Sequence, residues 1–257
     1  MNYAEILSDA NVVGFLLLFV RFGTLFMGVP IFSHQNIPLP VKSAMAFLFT
    51  VIFYDTMPPI EVPLNATSVS LAILSEMLFG LVIGLVLQIV YSIIAFAGGL
   101  ISFAMGFSMA TALDPQSGVS MPIVGTVLSL VALMVLFSLN LHHWILIYVS
   151  DSLKYIPLGG FVLNEHTFNY IISASANMLL IGFTMAFPIF ALSWMSDIIF
   201  GMLMKTMPQF NLLVIGFPIK IMISLSVIIA ILSSIMLLFK REVLEAFNWL
   251  GSLFLVM

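Results

Sequence analysis

The chain has 257 residues, 62% hydrophobic and only 7% charged, with no cysteine. Soluble domains average about 25% charged residues, and so few charges cannot clothe a water-facing surface of this size. An ordinary cytosolic enzyme and a disordered chain are therefore excluded. So is a nucleic-acid binder, because 7 Lys and Arg against 11 Asp and Glu supply no basic field for phosphates. The missing cysteines remove disulfides, thiolate metal sites and cysteine nucleophiles. What surrounds such a chain is lipid, or protein equally apolar.

The opening MNYAEILSDAN holds Glu5 and Asp9 and no Lys or Arg. It does not read as a secretory leader, which begins with positive charge, and it disfavours a cytoplasmic N-terminus. A lipid-spanning helix needs about 20 apolar residues, and residues 12–32 supply the first clear stretch. The loop SHQNIPLPVK follows, then an apolar stretch at 41–54 that is short for a span, then the proline-rich loop MPPIEVPLN. Residues 69–113 are apolar for far longer than one span, interrupted only by Gly98-Gly99. The central loop DPQSGVSMP separates them from the span 123–150, and DSLKYIPLGGFVLNEHT is the longest polar stretch. Residues 168–204, carrying Pro188 and Asp197, again exceed one span, and 211–239 form the last segment. With a turn at Gly98-Gly99 there are seven segments. Lys42, Lys154 and Lys240-Arg241 then fall on the cytoplasmic side, with the C-terminus. With six segments that asymmetry vanishes. The class expected is an all-α membrane protein.

Several apolar stretches contain ionisable groups: Arg21, Glu76, Asp197, Lys205 and Lys220. Each costs about 2.5–3.5 kcal/mol at a bilayer centre, so such groups face protein or water. Two readings stand, a proton or ion path and a set of buried partners. The acids are not stacked on one helix as a relay prefers, which favours the second. Arg21, Lys42 and Lys220 are the candidate buried charges.

Small and polar residues recur every fourth position in three runs: Glu76-Gly80-Gly84-Gln88-Ser92, Gly98-Ser102-Gly106-Ala110, and Ser193-Asp197-Gly201-Lys205. Residues four apart share a helix face, and small faces let helices approach closely in lipid. Glu76, Gly80, Gly84, Gln88, Gly98, Ser102, Asp197 and Gly201 are thus candidate packing positions, and three such faces suggest a subunit of a larger helical assembly. The central segment GFSMATALDPQSGVSMP is the most unusual: Pro115 forces Asp114 out of helix, and Gly106 and Gly118 permit backbone angles other residues avoid. It is either a plain surface turn or irregular backbone lining a cavity. The methionines around it, Met105, Met109 and Met121, fill irregular space, either as core or as a deformable seal. His142 and His143 are helix neighbours about 100° apart and do not grip one metal from one face, and no catalytic motif is present.

These segments together resemble the FliR family, export-gate subunits of flagellar and related type III secretion systems. The first block is VRFGTLFMGVPIFSHQNIPLPVK, through Arg21, Pro30, Ile37, Pro38, Val41 and Lys42. The central block is FAMGFSMATALDPQSGVSMPIVG, through Met105, Gly106, Asp114, Pro115, Ser117 and Pro122. Then come LNLHHWILIYVSDSLKYIPLG, through Asn140, His142, Leu146, Pro157 and Gly159, and MPQFNLLVIGFPIKI, through Pro208, Gln209, Gly216, Pro218 and Lys220. The four blocks lie in order over essentially the whole chain. Relatives often have a Gly before a single His where this chain has His142-His143.

The resemblance implies a FliP-like part, residues 1–169, followed by a FliQ-like helical hairpin, residues 170–257. It implies helical hairpins packed into a multi-subunit gate with FliP and FliQ, with FlhB as a further partner, in the bacterial inner membrane at the flagellar basal body. Unfolded flagellar proteins would pass through its pore. Met105, Gly106, Phe107, Met109, Asp114, Pro115, Gly118 and Met121 would form the pore plug. No enzyme activity, cofactor, metal or nucleic acid is implied. The rivals are a small secondary transporter or proton channel using Glu76, Asp197 and Lys220 with helices broken at Gly98-Gly99 and Pro188, a passive scaffold, and a gate subunit of a non-flagellar system. The transporter predicts two similar halves, which the sequence does not display.

Overall fold

The computed structural model describes residues 9–33, 37–59, 62–107, 122–207 and 212–256. Its elements are helices: α1 (Asp9–Gly28), the short α2 (Pro30–Ser33), α3 (Leu39–Phe53) continued by a 3-10 turn (Tyr54–Thr56), α4 (Ala66–Ala104), α5 (Ile123–Ser138), α6 (Leu141–Tyr155), α7 (Glu165–Thr206) and α8 (Phe217–Val256). α8 is preceded by a π turn at Leu212–Gly216.

Three helices are much longer than a bilayer requires. α4, α7 and α8 have 39, 42 and 40 residues, or about 60 Å each at 1.5 Å per residue. By length and composition α1, α3 with its 3-10 turn, α4, α7 and α8 can each cross a membrane, and α5 with α6, bent by 58°, make a sixth candidate. In hydrocarbon a backbone N–H has no partner but another backbone group, so an apolar chain stays helical wherever it can.

Three readings are corrected, the turn at Gly98-Gly99 and the transporter rival's break at Pro188 by that rule, and the end of the last segment by helix propensity. Gly98-Gly99 is not a turn: α4 runs through it, so the seven-segment topology built on it falls. Pro188 does not end α7. The last helix does not stop at Phe239 either. It continues through Lys240-Arg241-Glu242 to Val256, because these are strong helix formers and the apolar face resumes beyond them.

The chain forms two compact units. The first comprises Met1–Ile89, Leu136–Ala174 and Val243–Met257, and the second Val90–Val135 and Ser175–Glu242. In the first, the core is built on Leu17, Leu18, Phe22, Leu25 and Phe26 of α1, with Phe79 and Ile83 of α4. Val243, Ala246, Phe247, Leu250 and Leu253 of α8 are buried at helical spacing. The Tyr148 hydroxyl donates to the Leu250 carbonyl at 2.9 Å, and the Tyr170 and Trp249 rings stack at 3.7 Å. In the second unit, Ile93, Ile94, Ala97 and Ile101 of α4 are buried, as are Val124, Leu128 and Ala132 of α5 and Met185, Ala186 and Ile189 of α7. Asn140 lies between α5 and α6 in the left-handed conformation, φ 54°. Asn tolerates that region because its short polar side chain bonds locally, and it marks the bend.

Candidate functional site

Arg21 lies on the inner face of α1 with Phe22 and Leu25 and is fully buried, as is Glu76 of α4. They form a two-pronged pair, Nε to Oε2 at 2.5 Å and Nη2 to Oε1 at 2.9 Å. The planar guanidinium matches a carboxylate in this way, which makes the pair both strong and directional. Two further donors are also used. Nη1 donates to Ser152 Oγ at 3.1 Å and Nη2 to the Ile156 carbonyl at 3.4 Å, while Cζ lies 4.6 Å from the centre of the Phe79 ring.

Glu76 Oε1 accepts one bond more, from the Gly159 N–H at 2.7 Å. Gly159 has φ +79°, and a Cβ there would stand 2.7 Å from the Ala72 side chain. The loop after α6 needs glycine at this point to bring its N–H to the carboxylate. α1, α4, α6 and that loop, remote in sequence, are therefore pinned at one site. Every charge is neutralised where it stands, which is the geometry of a staple.

A second pair lies in the other unit. Lys220 Nζ of α8, nearly buried, donates to Asp197 Oδ1 and Oδ2 of α7 at 2.7 and 2.9 Å. The Asp197 side chain is 56% exposed. One turn beyond Lys220, the Ser224 hydroxyl is buried with no partner among the described residues. Lys42, expected to be buried, is only partly so. Its Nζ donates to the Ser33 carbonyl at 3.0 Å, closing the C-terminal end of α2.

The small residues meet one another. A Cβ on Gly84 would stand 2.6 Å from the Gly28 Cα, one on Gly80 2.0 Å from Thr24 Oγ1, and one on Gly98 2.3 Å from the Gly125 Cα. These glycines allow α4 to touch α1 in one unit and α5 in the other, backbone to backbone. Gln88 remains exposed and lines an open groove of about 550 Å³ with Thr24, Met27, Ser33, Met77 and Leu81. The Ser102 hydroxyl bonds back to the Gly98 carbonyl at 2.8 Å. Gly201 differs, since a Cβ there would meet nothing within 4 Å.

Gly106 ends α4. Its φ is +87°, its N–H donates to Phe103 O at 3.0 Å, and the Phe107 N–H reaches back to Ser102 O at 3.2 Å. This pair of bonds around a left-handed glycine satisfies carbonyls that a helix end otherwise leaves open. Met105 is fully buried beside it, and the Ser193 hydroxyl of α7 donates to the Ala104 carbonyl. Met109, Asp114, Pro115, Gly118 and Met121 lie outside the described residues. The His142 and His143 ring centres are 4.2 Å apart, and no group of three potential metal ligands occurs among the described residues.

The sequence reading missed Ser152, and it named Gly159 only within a family block and Ser193 only within a small-residue run, without the contacts they make. It also missed Gly28 and Gly125, the far halves of the glycine contacts. Gly125 stands alone among branched residues in IVGTVL, which was the available sign.

Long apolar helices, held by a buried ion pair and glycine crossings, define an all-α, multi-pass membrane protein. The family model for bacterial export proteins, family 1, matches residues 12–246. The flagellar biosynthetic protein FliR of Bacillus subtilis (strain 168) is 33% identical over 231 residues, 88% of this chain and 89% of that protein. The Escherichia coli (strain K12) protein of the same name is 28% identical over 224 residues, 87% and 86% of the two chains. The chain belongs to this family of bacterial export proteins, the FliR family.

Proposed function

We propose that this chain is a core subunit of the flagellar type III protein export gate. With FliP and FliQ, and in contact with FlhB, it forms the pore that passes unfolded flagellar subunits across the bacterial inner membrane at the basal body. The observation that carries the reading is the similarity, over most of the chain, to proteins named flagellar biosynthetic protein FliR, including one at 33% identity over 88% of this chain. Those names favour the flagellar over the virulence-type system.

The geometry supports an assembled rather than a solitary protein. Leu71, Phe103, Met134, Leu180, Met222 and Ile229 are exposed, Ile229 at 75%. Helices of about 60 Å offer twice the length a hydrocarbon core of about 30 Å takes up, and the surplus asks for apolar protein. Residues 1–169 form the FliP-like part and 170–257 the FliQ-like hairpin. The central segment is the plug. Gly106 suits that role because its cap stops α4 immediately before it.

Three measurements test this. Loss of the gene should abolish motility and the appearance of hook and filament proteins outside the cell, and the tagged chain should bring down FliP and FliQ in mild detergent. Deleting residues 106–118 should leave the assembly intact but make growing cells leak small ions. An assembled deletion mutant of unchanged conductance would remove the plug, and retained export by it would reduce the chain to a scaffold.

A further inference from the structure

The last turn of α4 can be followed carbonyl by carbonyl. A helix end leaves these groups without partners inside the helix. Here Ile101 O accepts from the Met105 N–H at 2.9 Å, Ser102 O from the Phe107 N–H at 3.2 Å and Phe103 O from the Gly106 N–H at 3.0 Å. Ala104 O accepts instead from the Ser193 hydroxyl of α7. In a continuing helix the N–H four residues on takes that position. Ser193 stands in for it. Both residues are buried, so solvent does not share the task, and α7 supplies the partner that lets α4 stop at Ala104.

The next position is held from α8. At Gly106, φ +87°, the space of a side chain is filled by the Phe217 ring: a Cβ there would lie 2.8 Å from Cε1 and 2.9 Å from Cδ1. Phe217 is the first residue of α8, directly after the π turn at Leu212–Gly216. The two helices that carry these contacts are tied to each other by Lys220 Nζ on the Asp197 carboxylate. Ser193 precedes Asp197 by four residues and Phe217 precedes Lys220 by three, so each contact shares a helix face with one half of the ion pair. A hydroxyl from α7 and a ring from α8 thus grip the end of α4, and one pair sets the distance between the two jaws.

We infer that Ser193 and Phe217 are positioning residues of the gate. Together they fix where α4 stops and the direction in which the chain leaves it, so a displacement of α7 against α8 is passed to the root of the central segment. The inference rests on the reading of that segment as the plug, and adds which residues hold its root.

The test is made in cells, with the full chain in its complex, on the small-ion leak of growing cells. Ser193→Ala removes the hydroxyl and leaves a buried carbonyl open, which shifts a balance by about tenfold. It should raise the leak by about that factor, toward the level of the chain lacking residues 106–118. Phe217→Ala should raise it as well, while Phe217→Tyr, which keeps the ring, should not. Ser196→Ala is the control: this nearby buried serine bonds only within its own helix, to Leu192 O at 2.9 Å, and its loss should not leak. If the deletion leaks, an unchanged leak in both Ser193→Ala and Phe217→Ala overturns the inference, and so does an equal leak in Ser196→Ala, which marks general loosening of α7. If Phe217→Ala does not accumulate, the two serine variants decide.

A second readout does not depend on conduction. The chain has no cysteine, and Met105 is fully buried between the two contacts, so Met105→Cys gives a single reporter thiol. In the complex purified in mild detergent it should resist a small maleimide, and it should label once Ser193→Ala or Phe217→Ala is added. Equal labelling with and without those substitutions overturns the inference. If the deletion of residues 106–118 does not leak, the plug reading fails, and the labelling alone decides whether the two residues hold this turn.

Discussion

Removing one member of the Arg21–Glu76 pair should cost far more than removing both. Glu76→Leu strands a guanidinium that is fully buried and removes the acceptor of the Gly159 N–H, 2.7 Å away. Arg21→Met strands the carboxylate in the same way. Breaking a buried pair from one side costs about 3–5 kcal/mol, whereas replacing both partners with apolar residues is often neutral or better. In the double variant the Gly159 N–H still lacks its acceptor, an orphan costing about 1–3 kcal/mol. Ser152 keeps its own bond to the Val149 carbonyl at 2.6 Å, so it adds little. The double variant should thus fall within about 2 kcal/mol of the unsubstituted chain, and each single variant well below it.

At about 2–4 °C per kcal/mol for a chain of this size, the single variants lose on the order of 6–20 °C in melting midpoint. Thermal melts of the complex extracted in mild detergent read this directly, and pulse-chase half-life in the membrane reads it in the cell. Export should follow the melts, lost in the singles and largely restored in the double. Singles that melt within about 3 °C of the unsubstituted chain, on the same scale, would refute the staple. A stable double variant with no export would instead restore the ion-path reading for Glu76.

Two further predictions use the glycines of α4. Gly98→Ala places a Cβ 2.3 Å from the Gly125 Cα, where only backbone can give way, whereas Gly99→Ala meets nothing within 4 Å. The first should destabilise by about 1–3 kcal/mol, as overpacking does, and the second should be neutral or stabilising by up to about 1 kcal/mol, so adjacent substitutions should move the melting midpoint in opposite senses. Gly106→Ala sets a side chain at φ +87° with its Cβ 2.8 Å from the Phe217 ring; the left-handed strain alone costs about 1–2 kcal/mol, and a melt unchanged from the unsubstituted chain would show that the cap is dispensable.

The helices were legible where lipid physics and helix chemistry agree, and misread where they were set against each other. Gly-Gly is a poor helix former in water, where a turn costs nothing because solvent takes up the freed N–H groups. In apolar surroundings nothing replaces those bonds. Gly98 then serves as a notch for Gly125, the same absence of a side chain put to the opposite use. The end of α8 was misjudged for a related reason. Lys240-Arg241-Glu242 marks where a chain can leave hydrocarbon, but leaving lipid does not unwind a helix. The sign of continuation was present, since Val243, Ala246, Phe247, Leu250 and Leu253 repeat at the spacing of one helix face.

Pairing was illegible for a deeper reason. Arg21 and Glu76 are 55 positions apart, and with Asp197 and Lys220 also in apolar helices, several neutralising combinations were equally consistent with composition. Which one forms depends on where α1 crosses α4, and that crossing depends on Gly28 meeting Gly84, a contact between two residues with no side chains to announce it. The small-residue spacing tells which face of a helix admits close approach, not what approaches. Three runs with the same period therefore looked alike. The structure separates them: those of α4 are closed by the chain's own glycines, and that of α7 ends on an outward carboxylate and an empty notch. The same spacing thus marks two faces that the chain closes itself and one whose glycine, Gly201, meets nothing within 4 Å.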